Sequence, residues 1–252
     1  MCRNMNRLVL ILALVAMCLP MTASAQQPES AGAARLAALV NVPHTEWLGS
    51  FDRIYINGKM QVRLVKISGE DGPKIVYDTK GSTTTRFKVE VDKKGTLNVE
   101  ESIDPKRATI TEVTIYYPEI KGLVAVAADV SFDNPFEAKM FDIEVSGGAN
   151  LNAEIRVLDL QAEVTGKSSV VLTGEARYMR LNISTAKFDA SNFSTVSSII
   201  GASHGAEVSI AVSERLEAET STSAKVSYKG NPAIMRTYSS LFGGEITQIV
   251  EQ

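Results

Sequence analysis

From about residue 127 onward, apolar and polar residues alternate in short runs, and the runs recur at a fixed interval. The stretch "IEVSGGANLNAEIR" (143–156) is answered by "AEVTGKSSVVLTGE" (162–175). Both read apolar, acidic, Val, hydroxyl, Gly, a small-residue step, then a new alternating run. Ala127, Ser146, Thr165, Ser184 and Ser203 follow one another at intervals of 19, then Ser221 and Ser239 at intervals of 18. Strand-type alternation at a long fixed period predicts a solenoid in which each repeat is one coil.

Stacking the repeats produces columns. One reads Phe141, Leu160, Met179, Ser198, Leu216. The next reads Ile143, Ala162, Leu181, Ile200, Ala218, and a third Val145, Val164, Ile183, Ala202, Thr220. Apolar columns two residues apart point to one face of a strand, and in a coil that face is the inside. A second arm gives Phe132, Leu151, Val170, a break at Asp189, then Val208 and Val226. A one-residue shift is expected at the break, with Phe188 filling the interior and Asp189 facing out. Ser198, in an interior column, is expected to bond to backbone. Coils about 4.8 Å apart set each inward side chain on its counterpart one period earlier. A change in coil length would turn apolar groups outward. The small residues after each corner hydroxyl (Gly147, Gly148, Gly166, Ser168, Gly205) suit a tight turn.

Upstream, "DRIYING", "MQVRLVKIS", "KIVYDT", "FKVEVDKKGTLNVEE" and "EVTIYYPEI" also alternate, with turns at Asn57-Gly58, Glu70-Asp71-Gly72 and Lys94-Gly95. The whole chain reads as all-β. Residues 1–25 read as a secretory signal: Arg3 and Arg7, a short apolar core, then Ala23-Ser24-Ala25. Residues 26–46 read as a linker or short N-terminal helix, and 47–252 as the β-helix domain, with regular coils from about 127. Both cysteines, Cys2 and Cys18, fall in the signal, so core burial and backbone pairing must hold the exported domain together. The formal charge of −3 becomes −5 once the two signal arginines are removed, which excludes a basic nucleic-acid surface. No apolar run after the signal reaches the roughly 20 residues of a membrane helix.

Serial S-G-small-small-apolar corners at this interval resemble the head domain of the putative autotransporter adhesins, the head GIN family. The closing segment is similar to that family's ending, through Tyr228, Gly230, Asn231, Pro232, Ser239, Ser240 and Gly243-Gly244. The opening "FDRIYINGKMQVRLVKISGEDGPKIVYD" is similar to the family's usual opening. The resemblance covers roughly 48 to 250 and implies an exported, right-handed single-stranded parallel β-helix, here with 18–19 residues per coil, and no established enzymatic role. The corners "STAKF", "SHGAE" and "STSAK" depart from the fuller glycine pattern. An autotransporter needs a membrane barrel of its own. The chain ends at Gln252 without one, so the expected location is the periplasm or cell envelope, or secreted.

Candidate chemistry is sparse. His44 and His204 are the two histidines, and no Cys or His cluster has metal-ligand spacing, so neither metal nor cofactor is expected. Ser203 and His204 with some Asp would make a serine triad only by coincidence, because hydroxyls stand at every corner. Outward Glu144, Glu163, Asn182, Gly201 and Glu219 share a column, with Asp142, Gln161 and Arg180 beside it. Glu144, Glu163 and Glu219 are therefore the candidate binding residues, and adjacent Glu144 and Glu163 the pair that would share a cation or a proton. Tyr116, Tyr117, Tyr178 and Tyr238 are the aromatic candidates for a glycan site. These features predict a non-catalytic envelope protein whose coil surface binds a protein or glycan, and no catalytic residues. The rival is a polysaccharide-active enzyme using acids on one coil face, which requires carboxylates converging in a groove.

Overall fold

The computed structural model describes residues 43–67, 71–80, 86–102, 108–240 and 242–249. The expected signal, and the linker up to residue 42, lie outside them. Every described element is a strand, and together they form a β-solenoid of about 7 turns.

In the C-terminal half, one long strand winds through most of each coil: β10 (Phe136–Ser146), β11 (Asn150–Thr165), β12 (Ser169–Ser184), β13 (Lys187–Ser203) and β14 (Glu207–Thr220). Each pairs in parallel with the next. Phe141 lies on Leu160, Leu160 on Met179, Met179 on Ser198 and Ser198 on Leu216, all buried. The two neighbouring columns stack as the period requires. Inward residues run Leu151, Ala153, Ile155, Val157 along one arm of β11, then Leu160, Ala162, Val164 along the other. The step of three between Val157 and Leu160 marks the bend where the strand changes face.

Tight corners close the coils. At Ser146, Ser203 and Ser221 the carbonyl accepts the amide three residues on, from Ala149, Ala206 and Ala224. The residues between lie in the left-handed region: Gly147 and Gly148, His204 and Gly205, Thr222 and Ser223. The glycine-poor corners thus keep the same backbone, with Thr185 (φ 56°), His204 (φ 53°) and Thr222 (φ 50°) held where a side chain costs roughly 1–2 kcal/mol. A column of small buried residues, Ala149, Ser168, Ala186, Ala206 and Ala224, fills the inside of the corner. Ser168 Oγ caps the Thr165 carbonyl at 2.6 Å and accepts the Gly148 amide at 3.2 Å, tying adjacent corners together.

Several details differ from the sequence reading. Leu151 stacks on Val130 rather than Phe132, which lies one inward position along and faces Leu64. The longer excursion between those coils shifts the interval. Phe188 takes the place opposite Val170, and Asp189 points out, as the one-residue shift requires. Ser198 Oγ bonds Thr195 Oγ1 at 2.7 Å, and Thr195, not Ser198, reaches backbone at Ala211 O, 2.8 Å away. Ser239 stacks on Thr220 rather than Ser221.

The N-terminal half contains β1 (His44–Trp47), β2 (Arg53–Asn57), β3 (Met60–Lys66), β4 (Lys74–Asp78), β5 (Phe87–Val91), β6 (Thr96–Glu101), β7 (Thr111–Tyr117), β8 (Gly122–Val126) and β9 (Asp129–Phe132). Strand pairing therefore starts at His44, three residues before the expected boundary at Trp47. The spatial order is not the chain order. β2 lies between β6 and β8, and β3 between β7 and β9, so the coil β6–β7 sits outside β2–β3, which precedes it in sequence. Antiparallel β5 covers β6, while β4 and then β1 cover β7. Lys74 Nζ lies 5.3 Å from the Trp47 ring centre and 4.8 Å from that of Tyr116, pinning this cap. At the other end β15 (Lys225–Lys229), β16 (Ile234–Ser239) and β17 (Glu245–Gln248) complete the stack, with Met235, Tyr238 and Phe242 exposed.

Candidate functional site

Glu144 pairs in register with Glu163 on the next coil, and both point to solvent. At the coil pitch their backbones stand about 5 Å apart. Asn182 and Gly201 follow, and Glu219 comes after them, three coils beyond Glu163 or about 14 Å away. The column is real, but its three acids do not converge. Arg180 stands in the neighbouring column and lines the same shallow depression as Glu144 and Glu163. Asp142 is bound by Arg53 at 3.2 Å. Among the described residues no three His, Cys, Asp or Glu side chains are grouped to hold a metal ion.

His204 Nδ1 lies 3.2 Å from Ser184 Oγ and 3.1 Å from Ser203 Oγ, on the exposed corner. A triad needs one ring nitrogen on the serine and the other on a carboxylate. Here one nitrogen meets two serines, and no hydrogen bond joins His204 to an acid among the described residues. The tyrosines form no stripe. Tyr117 is fully buried, Tyr116 underlies Lys74, Tyr178 is half-exposed on the coil wall and Tyr238 lies at the C-terminal end.

Another concavity lies elsewhere, and the sequence reading missed it. In each regular coil the bend between the arms forms a third wall. The segment 136–140 of β10 supplies that wall for its coil and pairs with Ile155–Asp159 of β11. On its other side β8 pairs only with Asp142–Ser146, so the edge of 136–140 meets no strand among the described residues. The coil before it lacks the wall, because the chain leaves β3 for β4, and residues 118–121 cross from β7 to β8 instead. The resulting groove, of about 1100 Å³, is floored by buried Tyr117, Ile120 and Phe136. Met140 and Leu158 stand exposed on its wall.

The groove's charges come from residues that join the coils. Lys121 Nζ bonds Asp52 Oδ2 at 2.7 Å, and that hydrogen bond holds the Asp52 carboxyl below the ordinary carboxylate range. Arg156 bonds Glu154 at 2.7 Å and lies 3.6 Å from Glu137. The Tyr117 hydroxyl is buried with no hydrogen-bond partner, and burial pushes its pKa up. Tyr117 packs edge-on to Phe132 and tilted against Phe136, which packs on Phe141 at 4.2 Å. The crowd of aromatics at 132, 136 and 141, within one irregular interval, is the sequence signal that marked this break.

Stacked parallel coils, an oily inner file and a wall notched near the N-terminal end define a β-solenoid. The family profile described as putative auto-transporter adhesin, head GIN domain, matches residues 50–232, and the chain belongs to that family. None of the curated proteins matches it in sequence. Among solved structures it is similar to a putative adhesin from Bacteroides fragilis, with TM-score 0.72 and 18% identity over 82% of this chain and 96% of that one. A putative adhesin from Parabacteroides merdae gives TM-score 0.63 and 16% identity over 83% of this chain and 96% of that one. A putative lipid binding protein from Parabacteroides distasonis gives TM-score 0.63 and 17% identity over 82% of this chain and 97% of that one. At these identities the likeness is one of fold.

Proposed function

We propose that the chain is an exported, non-catalytic protein of the periplasm or cell envelope whose β-helix surface binds a protein or glycan. The observation that carries this reading is the regular outer face: side chains of unlike chemistry repeat at coil pitch, with their acids dispersed along it. Carbohydrate hydrolysis by paired carboxylates needs those groups about 5–10 Å apart across a substrate cleft. Glu144 and Glu163 are close, but stand side by side on an open face. The acidic column enters the reading as one part of the binding surface. The adhesin descriptions of the family and its structural relatives agree with a binding role.

The test is capture. Purified protein immobilised on beads is incubated with extract from envelopes of the native host, and in parallel placed on a glycan array. A saturable partner or glycan in either supports the reading. Release of reducing ends from cell-wall polysaccharide by the protein alone would overturn it in favour of an enzyme.

A further inference from the structure

We infer that the groove beside Phe136–Met140 is a docking site for an extended peptide strand bearing acidic side chains, added edge-on to β10. This deepens the binding reading above and rests on it. Four observations converge. First, the strand edge at 136–140 lies in mid-stack, not at an end of the solenoid, and pairs on one side only among the described residues. Backbone amides and carbonyls on such an edge are a template for another strand. A five-residue edge is about 17 Å long. Second, the missing wall segment leaves a groove of about 1100 Å³ with an apolar floor, into which alternate side chains of an added strand would point.

Third, the Tyr117 hydroxyl at that floor is buried without a partner in the protein. Buried tyrosine hydroxyls ordinarily find one. The hydroxyl is closed off from the groove in the free protein, and a carbonyl or carboxylate of a seated strand would accept from it once the Tyr117 ring turns outward. Fourth, charge selects among peptides. Lys66, Lys139 and Arg177 line the groove without a carboxylate partner among the described residues, and Glu119 and Glu175 without a cation, whereas Lys121 and Arg156 are paired, which leaves one cation in excess. Five cations and four acids line a groove in a chain whose formal charge is −3, so the groove is locally the reverse of the chain as a whole. Acidic residues alternating with apolar ones meet both the rim and the floor. An acyl chain would fill the floor, but leave the backbone row at 136–140 unmet.

The experiment pans a displayed library of random peptides against the whole exported protein. Affinities of the enriched peptides are then measured for the wild type, Tyr117→Phe, and the double variant Lys139→Glu/Arg177→Glu. Enriched sequences should alternate apolar residues with Asp or Glu, and binding should slow amide hydrogen exchange at 136–140. Tyr117→Phe should weaken binding about tenfold while leaving the melting temperature unchanged or raised, because the hydroxyl has no partner to lose. A purely structural role would lower the melting temperature instead. The charge reversals, at exposed positions, should weaken binding by a similar factor and more so at low salt. Exchange protection elsewhere overturns the proposal, as does equal affinity of all three proteins. Binding of phosphatidylglycerol vesicles in competition with the peptides, or concentration-dependent self-association through this face, overturns it too. If envelope extracts yield a partner that all three proteins capture equally, the groove is excluded and the wider binding reading stands. If neither library nor extract nor array yields a ligand, both fall.

Discussion

The two halves of the solenoid solve the same problem differently. From β10 onward, the neighbour of each coil in space is its neighbour in sequence, and one set of positions serves as interior throughout. Before β10 the order is broken: β2 and β3 are gripped between coils that come later in the chain. The regular half gains its register from repetition alone. The irregular half needs separate devices, namely the antiparallel cover of β1, β4 and β5, the Asp52–Lys121 tie, and a wall that is left open. Repetition gives stability and a regular outer face; its interruption gives a cap and a groove.

The largest expected effect tests whether the regular half is modular. Deleting residues 147–165, one full period between Ser146 and Gly166, would bring β10 onto β12 with every interior column intact. A cooperative melting transition close to that of the parent is expected. Deleting Asn152 alone should abolish it, because one residue shifts Ala153, Ile155 and Val157 out of the core. Circular dichroism during heating distinguishes the two. Unfolding of the full-period deletion would mean that the halves are interdependent, and the contrast between them would fail.

Next in size are the glycines. Gly174 (φ +108°) lies so that a Cβ would stand 2.2 Å from the Ile155 carbonyl oxygen of the coil beneath, whereas a Cβ on Gly148 (φ +81°) meets nothing within 4 Å. Gly174→Ala should destabilise by more than about 3 kcal/mol, combining left-handed strain with a backbone clash. Gly148→Ala should cost only about 1 kcal/mol, the strain alone. Urea midpoints measure both. Equal effects would show that coil spacing yields locally, contrary to a register held rigidly by its neighbours.

How much of this was legible follows from the same division. The columns through Phe141, Ile143 and Val145 could be read because consecutive coils share length and hydrophobic phase, so a count along the chain is a count in space. The displacement of Phe188 was legible for the same reason, since an aspartate in an apolar file forces a shift. Phe132 was misplaced because the interval to the next coil lengthens there; the aromatics at 132, 136 and 141 mark the break but not its length. The strands β2 to β7 were visible as alternation, but their partners were not, since two-residue periodicity says which side faces in and nothing about which strand lies alongside. The groove was illegible for that reason: it is a missing partner. Glu144, Glu163 and Glu219 share one column, in which Glu144 and Glu163 are neighbours and Glu219 stands three coils away.

A smaller effect concerns the polar pair inside the regular half. Thr195 and Ser198 are buried and hydrogen-bonded to one another, with Thr195 also bonded to the Ala211 carbonyl. Thr195→Val strands the Ser198 hydroxyl in the core and should cost about 1–3 kcal/mol. Adding Ser198→Ala should return part of that loss, since a matched apolar pair leaves no unmet group. A double-mutant cycle measures the coupling. Strict additivity would mean that the pair is not coupled in solution, and that this column tolerates polarity without the bond.

The counterpart in the irregular half is Tyr117, a polar atom in the core with no partner. Burial raises its pKa above the ordinary value of about 10. The neutral phenol is therefore favoured by folding. Its contribution is fully present below pH 10 and is lost as pH rises through the folded-state value, by about 1.4 kcal/mol per pH unit while only the unfolded chain ionises. Lysines also lose charge in this window, so the informative quantity is the difference between wild type and Tyr117→Phe. At neutral pH the phenylalanine variant should be equal or slightly more stable, since no hydrogen bond is removed. Above pH 10 its advantage should widen, in urea titrations repeated across that range. A phenylalanine variant that is less stable at neutral pH, with no widening in alkali, would place a partner on the hydroxyl. The floor of the groove would then hold no unmet polar group, whereas the regular half keeps one in the Thr220 hydroxyl, and the difference between the two halves would be one of strand order.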